Sequence, residues 1–146
     1  MPTASAHSYT ASLMVILALD IGTVRVGCAS ADDSVRIPFP VAVWPRAKYE
    51  AEREILKLIE ERGAKLLVVG MPLGPRGERT AICDSVESFV RRLAKRVSIQ
   101  IEYVDESFSS LEASARLRES GSKREEIDAH AACLILERYF ERAQRA

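Results

Sequence analysis

Three carboxylates in this 146-residue chain stand where an acid needs a physical reason to be. Asp20 ends the apolar run Leu13 to Leu19 and is followed by Ile21-Gly22-Thr23. A charge at the end of a buried strand is costly unless something positive lies against it, and the nearby Gly22 and Gly27 leave room for such a partner. Glu106 closes a later extended segment beside Asp105. Successive strand residues point to opposite faces, so only one of the two can face Asp20, and the spacing leaves open which. Asp128 precedes Ala131, Ala132 and Ile135 by three, four and seven residues, which places it at the head of a helical stripe facing the sheet.

If that helix docks over the strand ends, Asp20, Glu106 and Asp128 converge. Two like charges ~4 Å apart repel by about 1 kcal/mol in water and about 4 kcal/mol at an effective dielectric of 20, so a trio needs protons or a cation. Oxygen-only sites suit Mg2+ or Mn2+, which keep waters and accept phosphate oxygens as further ligands. The chemistry that matches is phosphodiester hydrolysis, in which ions ~3.5 to 4 Å apart activate water and stabilise the leaving oxygen. The three acids are therefore candidate catalytic residues and candidate metal ligands together.

Three arginines are candidates for holding nucleic acid: Arg25 just after the Asp20 turn, and Arg76 and Arg79 in the loop after Pro72. A guanidinium near a carboxylate–metal site can hold a phosphate bidentately. Arg91, Arg92, Lys95 and Arg96 read as the solvated side of their helix. Trp44 reads as packing against the next helix, with stacking on a base as the alternative. Each acid also has a duller explanation. Asp20 could close a turn with Gly22, and Asp128 could favour its helix's N-terminal dipole by about 0.3 to 1 kcal/mol, although that leaves its inner-face position unexplained. Asp32 and Asp33 read as turn residues, and neither His7 nor His130 is placed to serve as a base.

The elements that must position these groups follow from periodicity. Strands are expected over Leu13 to Asp20, Val24 to Ser30 and Val35 to Val43, with short connections that imply an antiparallel meander. Tyr49 to Arg62 puts Ala51, Ile55, Leu58 and Ile59 on one helical face and stops at Gly63. Leu66 to Val69 is an apolar strand running into Gly70-Met71-Pro72-Leu73. Ile82, Val86, Phe89, Val90 and Leu93 recur at helical spacing, and Ile99 to Val104 reads as a strand ending at Asp105-Glu106. Two helices close the chain, with capping boxes at Ser109/Glu112 and Ser122/Glu125, separated by Gly121. A meander followed by helix-linked strands makes a five-stranded mixed sheet with helices on both faces, an α/β fold. In such sheets, sites gather at the carboxyl ends of the parallel strands, where Asp20, the Gly70 to Gly77 loop and Glu106 all fall.

Composition narrows the function. Acidic and basic residues balance at 21 each, and they balance again on either side of Leu73, 8 against 8 and then 13 against 13, so a nucleic-acid site must be a local patch. Cys28, Cys83 and Cys133 are widely spaced, without the paired spacing of a zinc site or a disulfide framework, and read as free thiols of a reducing cytoplasm. No apolar run approaches the ~20 residues of a membrane span. Residues 1–12 carry no charged start before an apolar core and read as a disordered extension, with 13–146 as one domain.

These residues, in this order, resemble the YqgF/RuvX family of RNase H-like proteins, the Holliday junction resolvases now regarded as pre-16S ribosomal RNA nucleases. The resemblance is carried by Leu19-Asp20-Ile21-Gly22-Thr23-Val24-Arg25-Val26-Gly27, Val68-Val69-Gly70-Met71-Pro72-Leu73, Val104-Asp105-Glu106, and Ile127-Asp128 with Ala131-Ala132 and Ile135-Leu136. It implies an RNase H-like fold, Asp20, Glu106 and Asp128 as ligands of Mg2+ or Mn2+, and cleavage of the 5′ end of the small-subunit ribosomal RNA precursor in the cytoplasm, by a monomer or homodimer. The chain departs from the family pattern at Ser107, where Arg is usual, and at Gly74 and Arg76-Gly77, where Asn and Asp-Gly are usual. Branched DNA is the alternative substrate, and a non-catalytic RNA or ribosome-assembly module the alternative role. A sugar kinase or chaperone ATPase shares the Asp-x-Gly-Thr turn but needs a second lobe to enclose ATP, for which this length is too short.

Overall fold

The computed structural model describes residues 14–106, 121 and 123–145. Its elements are β1 (Val15–Ile21), β2 (Arg25–Asp32), β3 (Phe39–Pro45), a 3-10 turn (Ala47–Tyr49), α1 (Glu50–Arg62), β4 (Leu66–Met71), α2 (Ala81–Ala94), β5 (Gln100–Asp105) and α3 (Arg124–Arg145). The five strands form one sheet in the order β3-β2-β1-β4-β5. β1–β2 and β2–β3 are antiparallel, while β1–β4 and β4–β5 are parallel. This is the expected meander followed by parallel strands. The expected extension at 1–12, the helix that would start at Ser109 and the cap residue Ser122 lie outside the described residues.

Strand periodicity divides the core between two helical layers. Leu17, Leu19 and Ile21 of β1 face α1 and α2, packing with Ile55, Ile59, Val86, Phe89 and Leu93. Ile16 and Ala18 face α3, packing with Ala132, Ile135, Leu136 and Phe140. β1 is buried on both faces, which is why it reads as a continuous apolar run rather than an alternation. Each fully buried large apolar side chain contributes ~1.5 to 3 kcal/mol.

Local chemistry sets the ends. Gly63 stops α1 in the left-handed region at φ 61°, and the next N–H, that of Ala64, bonds back to Ile59 O at 3.1 Å. Thr80 ties the start of α2 to the end of β4 by donating its hydroxyl to Pro72 O at 2.9 Å. At the start of α3, Glu126 accepts from the Lys123 N–H at 3.3 Å.

β2 and β3 each run two residues past their expected ends, to Asp32 and Pro45, and two other boundaries differ for local reasons. β3 begins at Phe39, not Val35, because Pro38 and Pro40 remove ladder donors and Arg36 turns the chain at φ 60°, leaving Val35 and Ile37 exposed. β4 continues past Val69 through Gly70 and Met71, which pair with Val104 and Asp105, so Gly70 is a strand residue and not part of a loop.

Parity puts Gly27 on the α3 face of β2, where a side chain would leave no room for the helix. A Cβ there would lie 2.3 Å from Asp128 O and 2.7 Å from its carbonyl carbon, both backbone atoms. Gly27→Ala should therefore push α3 off the sheet and destabilise the fold by ~1 to 3 kcal/mol or more, as for other overpacked sites. Chemical denaturation measures this, and an unchanged midpoint would show that the helix does not approach so closely.

Candidate active site

Asp20 is the last α3-facing residue of β1, and the residues beside it in the sheet carry no side chain. Gly27 of β2 is its register partner. On the other side Leu19 pairs with Val69, which sets Gly70 of β4 beside Asp20. The row Gly27, Asp20, Gly70 is thus a bare strip with one carboxylate at its centre. The two neighbouring elements lean over the two bare positions. Asp128 of α3 lies against Gly27, while Glu106 lies over Gly70, where a Cβ would come within 2.9 Å of Glu106 Oε1 and 2.6 Å of Ile135 Cδ1.

Glu106 reaches Asp20 across β4 because Gly70 leaves the way open. Its N–H donates to Met71 O at 2.9 Å, which extends the β5 pairing one residue and keeps Glu106 on the same face as Val104. Asp105, by the same alternation, points away and is exposed. The open choice between the two acids is settled by the pairing of β5 with β4.

Electrostatics register the convergence. Burial holds the Asp20 carboxyl well above the usual carboxylate range. The negative charge of Glu106, a hydrogen bond shared with Glu106, and the charge of Asp128 push it the same way. The two carboxyls thus lie within reach of one another, and burial together with like charge disfavours the ionised form of Asp20. Asp128 comes near enough for its charge to be felt, but its carboxylate is turned to Arg25, whose Nε donates to Oδ2 at 2.9 Å. Among the described residues no three His, Cys, Asp or Glu side chains already form a metal cage. The donor set nonetheless suits a hard cation: two adjacent carboxylates with a bare glycine on either side match magnesium, which binds through one or two carboxylates and fills its remaining positions with water and phosphate oxygens.

The arginine candidates fare differently. Arg25 lies at the site but is engaged with Asp128. Arg79 is ion-paired with Asp84 and Glu87 of α2, which raises its pKa further and occupies its guanidinium. Arg76 is exposed, and its backbone N–H donates to Glu78 Oε1 at 2.8 Å. Trp44 packs against the α1–α2 core, as the first of its two sequence readings expects. Ser107, the departure beside Glu106, lies outside the described residues.

One positioning residue escapes sequence reasoning. Arg46 donates through Nη1 to Gly22 O at 3.0 Å and to Ser85 Oγ at 2.8 Å, tying the turn beyond Asp20 to α2. Nothing in its neighbours marks it, since those partners are 24 and 39 residues away.

Linkage fixes the sign of a stability effect. A carboxyl whose pKa is higher folded than unfolded gives stability that is complete below its ordinary value of 3.8 and is lost as pH rises through the raised value. In EDTA, Asp20→Asn should therefore melt above the wild-type protein at pH 7, with the gap closing toward pH 4. Calorimetry across that range tests it, and a lower melting temperature at pH 7 would mean that the Asp20 charge is compensated in the folded state.

Comparison with known proteins bears on the family and the fold. The profile of the RuvX family, described as Holliday junction resolvase, matches residues 14–142. A protein of Maridesulfovibrio salexigens is 36% identical over 135 residues, covering 89% of this chain and 100% of its own length. One from Synechocystis is 36% identical over 130 residues, covering 86% of each. Both carry pre-16S rRNA nuclease as a provisional name. Among solved structures, Thermus thermophilus RuvC in complex with a Holliday junction substrate superposes with a TM-score of 0.53 at 14% identity, over 88% of this chain and 96% of that one. The fowlpox virus Holliday junction resolvase gives 0.51 at 12% identity, over 89% and 99%. At such identities the likeness is one of fold, and it is the RNase H-like α/β architecture expected from the sequence.

Proposed function

This chain belongs to the RuvX family, and from that premise we propose that it is a divalent-metal-dependent nuclease, hydrolysing phosphodiester bonds at the 5′ end of pre-16S ribosomal RNA in the bacterial cytoplasm. The observation that carries the reading is the meeting of the Asp20 and Glu106 carboxyls at the carboxyl ends of parallel strands, where Gly70 lets Glu106 reach over β4. The provisional names of the relatives supply the substrate, and no helix among the described residues is long and apolar enough to cross a membrane.

Asp20 and Glu106 would hold Mg2+ or Mn2+, with Asp128 joining them once Arg25 releases it. The ion supplies an activated water and stabilisation of the leaving oxygen. The chain's own residues prepare that chemistry. Gly27 lets the α3 backbone at Asp128 close on β2, and Gly70 lets Glu106 reach across β4 to Asp20. Burial and the neighbouring acids disfavour the Asp20 charge, and a cation held by Asp20 and Glu106 would answer it. Arg25, freed from Asp128, presents its planar fork to a phosphate oxygen, while Arg46 holds the Gly22 turn still beneath it.

Purified protein should cut an RNA spanning the precursor's 5′ end when Mg2+ or Mn2+ is present, and not in EDTA. Asp20→Asn should lower the rate by about a hundredfold or more, since the ion's stabilisation is worth several kcal/mol and each 1.36 kcal/mol is tenfold. A four-way DNA junction assayed in parallel decides the substrate, and its preferential cleavage would replace RNA with branched DNA. Undiminished cutting by Asp20→Asn would overturn the assignment of the site.

A further inference from the structure

On the face of the sheet away from α3, a cavity of about 480 Å³ opens between α1 and α2, lined by Tyr49, Glu52, Arg53, Arg92, Lys95 and Arg96. Its volume lies in the ~300 to 1,000 Å³ range of small-ligand sites. Four cations and one acid line it in a chain whose net charge is zero, so the local field is strongly positive. Four arginines elsewhere are answered by acids: Arg25 by Asp128, Arg36 by Asp33, Arg79 by Asp84 and Glu87, and Arg142 by Glu102. In the cleft Arg92 is paired in this way, its Nε donating to Glu52 Oε2 at 3.0 Å. Lys95 and Arg96 have no ion-pair partner among the described residues.

Two further features point to a ligand. Lys48 and Tyr49 both sit in the left-handed region, at φ 58° and 60°, and this uncommon geometry presents the Tyr49 ring at the mouth of the cleft, 63% exposed. The Arg92 guanidinium backs that ring at 5.9 Å from its centroid. Beneath, Glu52 is 8% exposed, and its Oε1 is the one buried side-chain polar atom without a hydrogen-bond partner among the described residues. An orphan acceptor in the wall of a cationic cleft suits a ligand that brings both negative charge and N–H or O–H donors. Leu56 and Leu93 give the same cleft an apolar side against which a flat ring can lie.

We propose that this α1–α2 cleft binds an unpaired nucleotide of an RNA strand, with its base on Tyr49, its phosphates on Lys95, Arg96 and Arg53, and a base or ribose donor on Glu52. The cleft connects to the active site through packed side chains. Arg92 lies over Phe89 on one side at 5.7 Å, and Arg46, which holds the Gly22 turn, lies over the same ring at 5.3 Å. A strand engaged at Asp20 can thus be gripped a second time, away from the cut. This inference rests on the nuclease reading for the identity of the strand and not for the existence of the site.

The test reads binding in EDTA, so that its outcome does not depend on whether the protein cuts. A short, fluorescently labelled single-stranded RNA is titrated with wild-type protein, with the double variant Lys95→Glu/Arg96→Glu, and with Tyr49→Ala. All three positions are exposed, so circular dichroism should show the fold retained. The double variant should bind about tenfold or more weakly, and its salt dependence should flatten by about 1.4 in log–log slope, ~0.7 for each phosphate no longer neutralised. Tyr49→Ala should weaken binding about tenfold because the base no longer stacks. Lys57→Glu/Lys65→Glu, an equal change of net charge at exposed positions outside the cleft, should change affinity less than twofold. Unchanged affinity in the cleft variants, or an equal loss in the control, overturns the proposal, as does free AMP binding as tightly as the RNA. RNA cleavage combined with unaffected binding would refute this site alone. Cleft-dependent binding without cleavage would refute the nuclease reading alone.

Discussion

A carboxylate at the end of a doubly covered strand must have its charge answered, and the carboxyl edge of this sheet is organised around that demand. Asp20 lies between two positions with no side chain, Gly27 and Gly70, so what surrounds it is backbone, space and the acids that lean in from α3 and from the end of β5. Glycine within a strand ordinarily weakens it. Here that weakness is offset by close approach: Gly27 lets the backbone of α3 come down onto β2, and Gly70 lets Glu106 cross β4 to reach Asp20. Filling either position would separate the acids as surely as mutating one of them.

Bringing three acids together without a cation is unfavourable. Burial and the neighbouring charges favour the neutral form of Asp20, and Arg25 takes Asp128. At an effective dielectric near 20, each unrelieved pair at ~4 Å would cost about 4 kcal/mol, comparable with a large part of a domain's net stability. The Arg25 side chain is 28% exposed, so the contact that holds Asp128 lies at the solvent edge of the site.

The opposite face handles charge differently. Elsewhere Arg25, Arg36, Arg79 and Arg142 each meet a nearby acid, and the overall balance is zero. Between α1 and α2 the balance fails: cations accumulate around a single buried acid, and a tyrosine in a left-handed backbone conformation stands at the edge. Arg46 belongs to both regions, bonding the turn after Asp20 on one side and stacking on Phe89 beside Arg92 on the other. Charge in this protein is placed locally, which is why a neutral total carries no information about nucleic-acid binding.

Much of the fold is legible in the chain because its signals are local. The apolar run before Asp20, the helical stripes of α1 and α2, the Gly63 stop and the short meander connections each depend on a few consecutive residues, and each appears as expected within a residue or two. The start of β3 is not legible because two prolines override an apolar pattern, and the end of β4 is not because Gly70 looks like a loop residue until its pairing with Val104 is known. Glu52 leaves a readable trace: it precedes Ile55 and Ile59 by three and seven residues, so an acid stands on an apolar stripe.

The types of the site residues, and the strand ends on which two of them stand, were set by sequence alone. Their mutual arrangement was not, because it depends on contacts between residues far apart in the chain. Whether Asp105 or Glu106 faces Asp20 follows from the pairing of β5 with β4. That Arg25 engages a carboxylate 103 residues away, while Arg79 is taken up by the helix that follows it, follows from packing. A one-dimensional pattern gives the face of each element relative to itself; only the assembled sheet says which faces are shared.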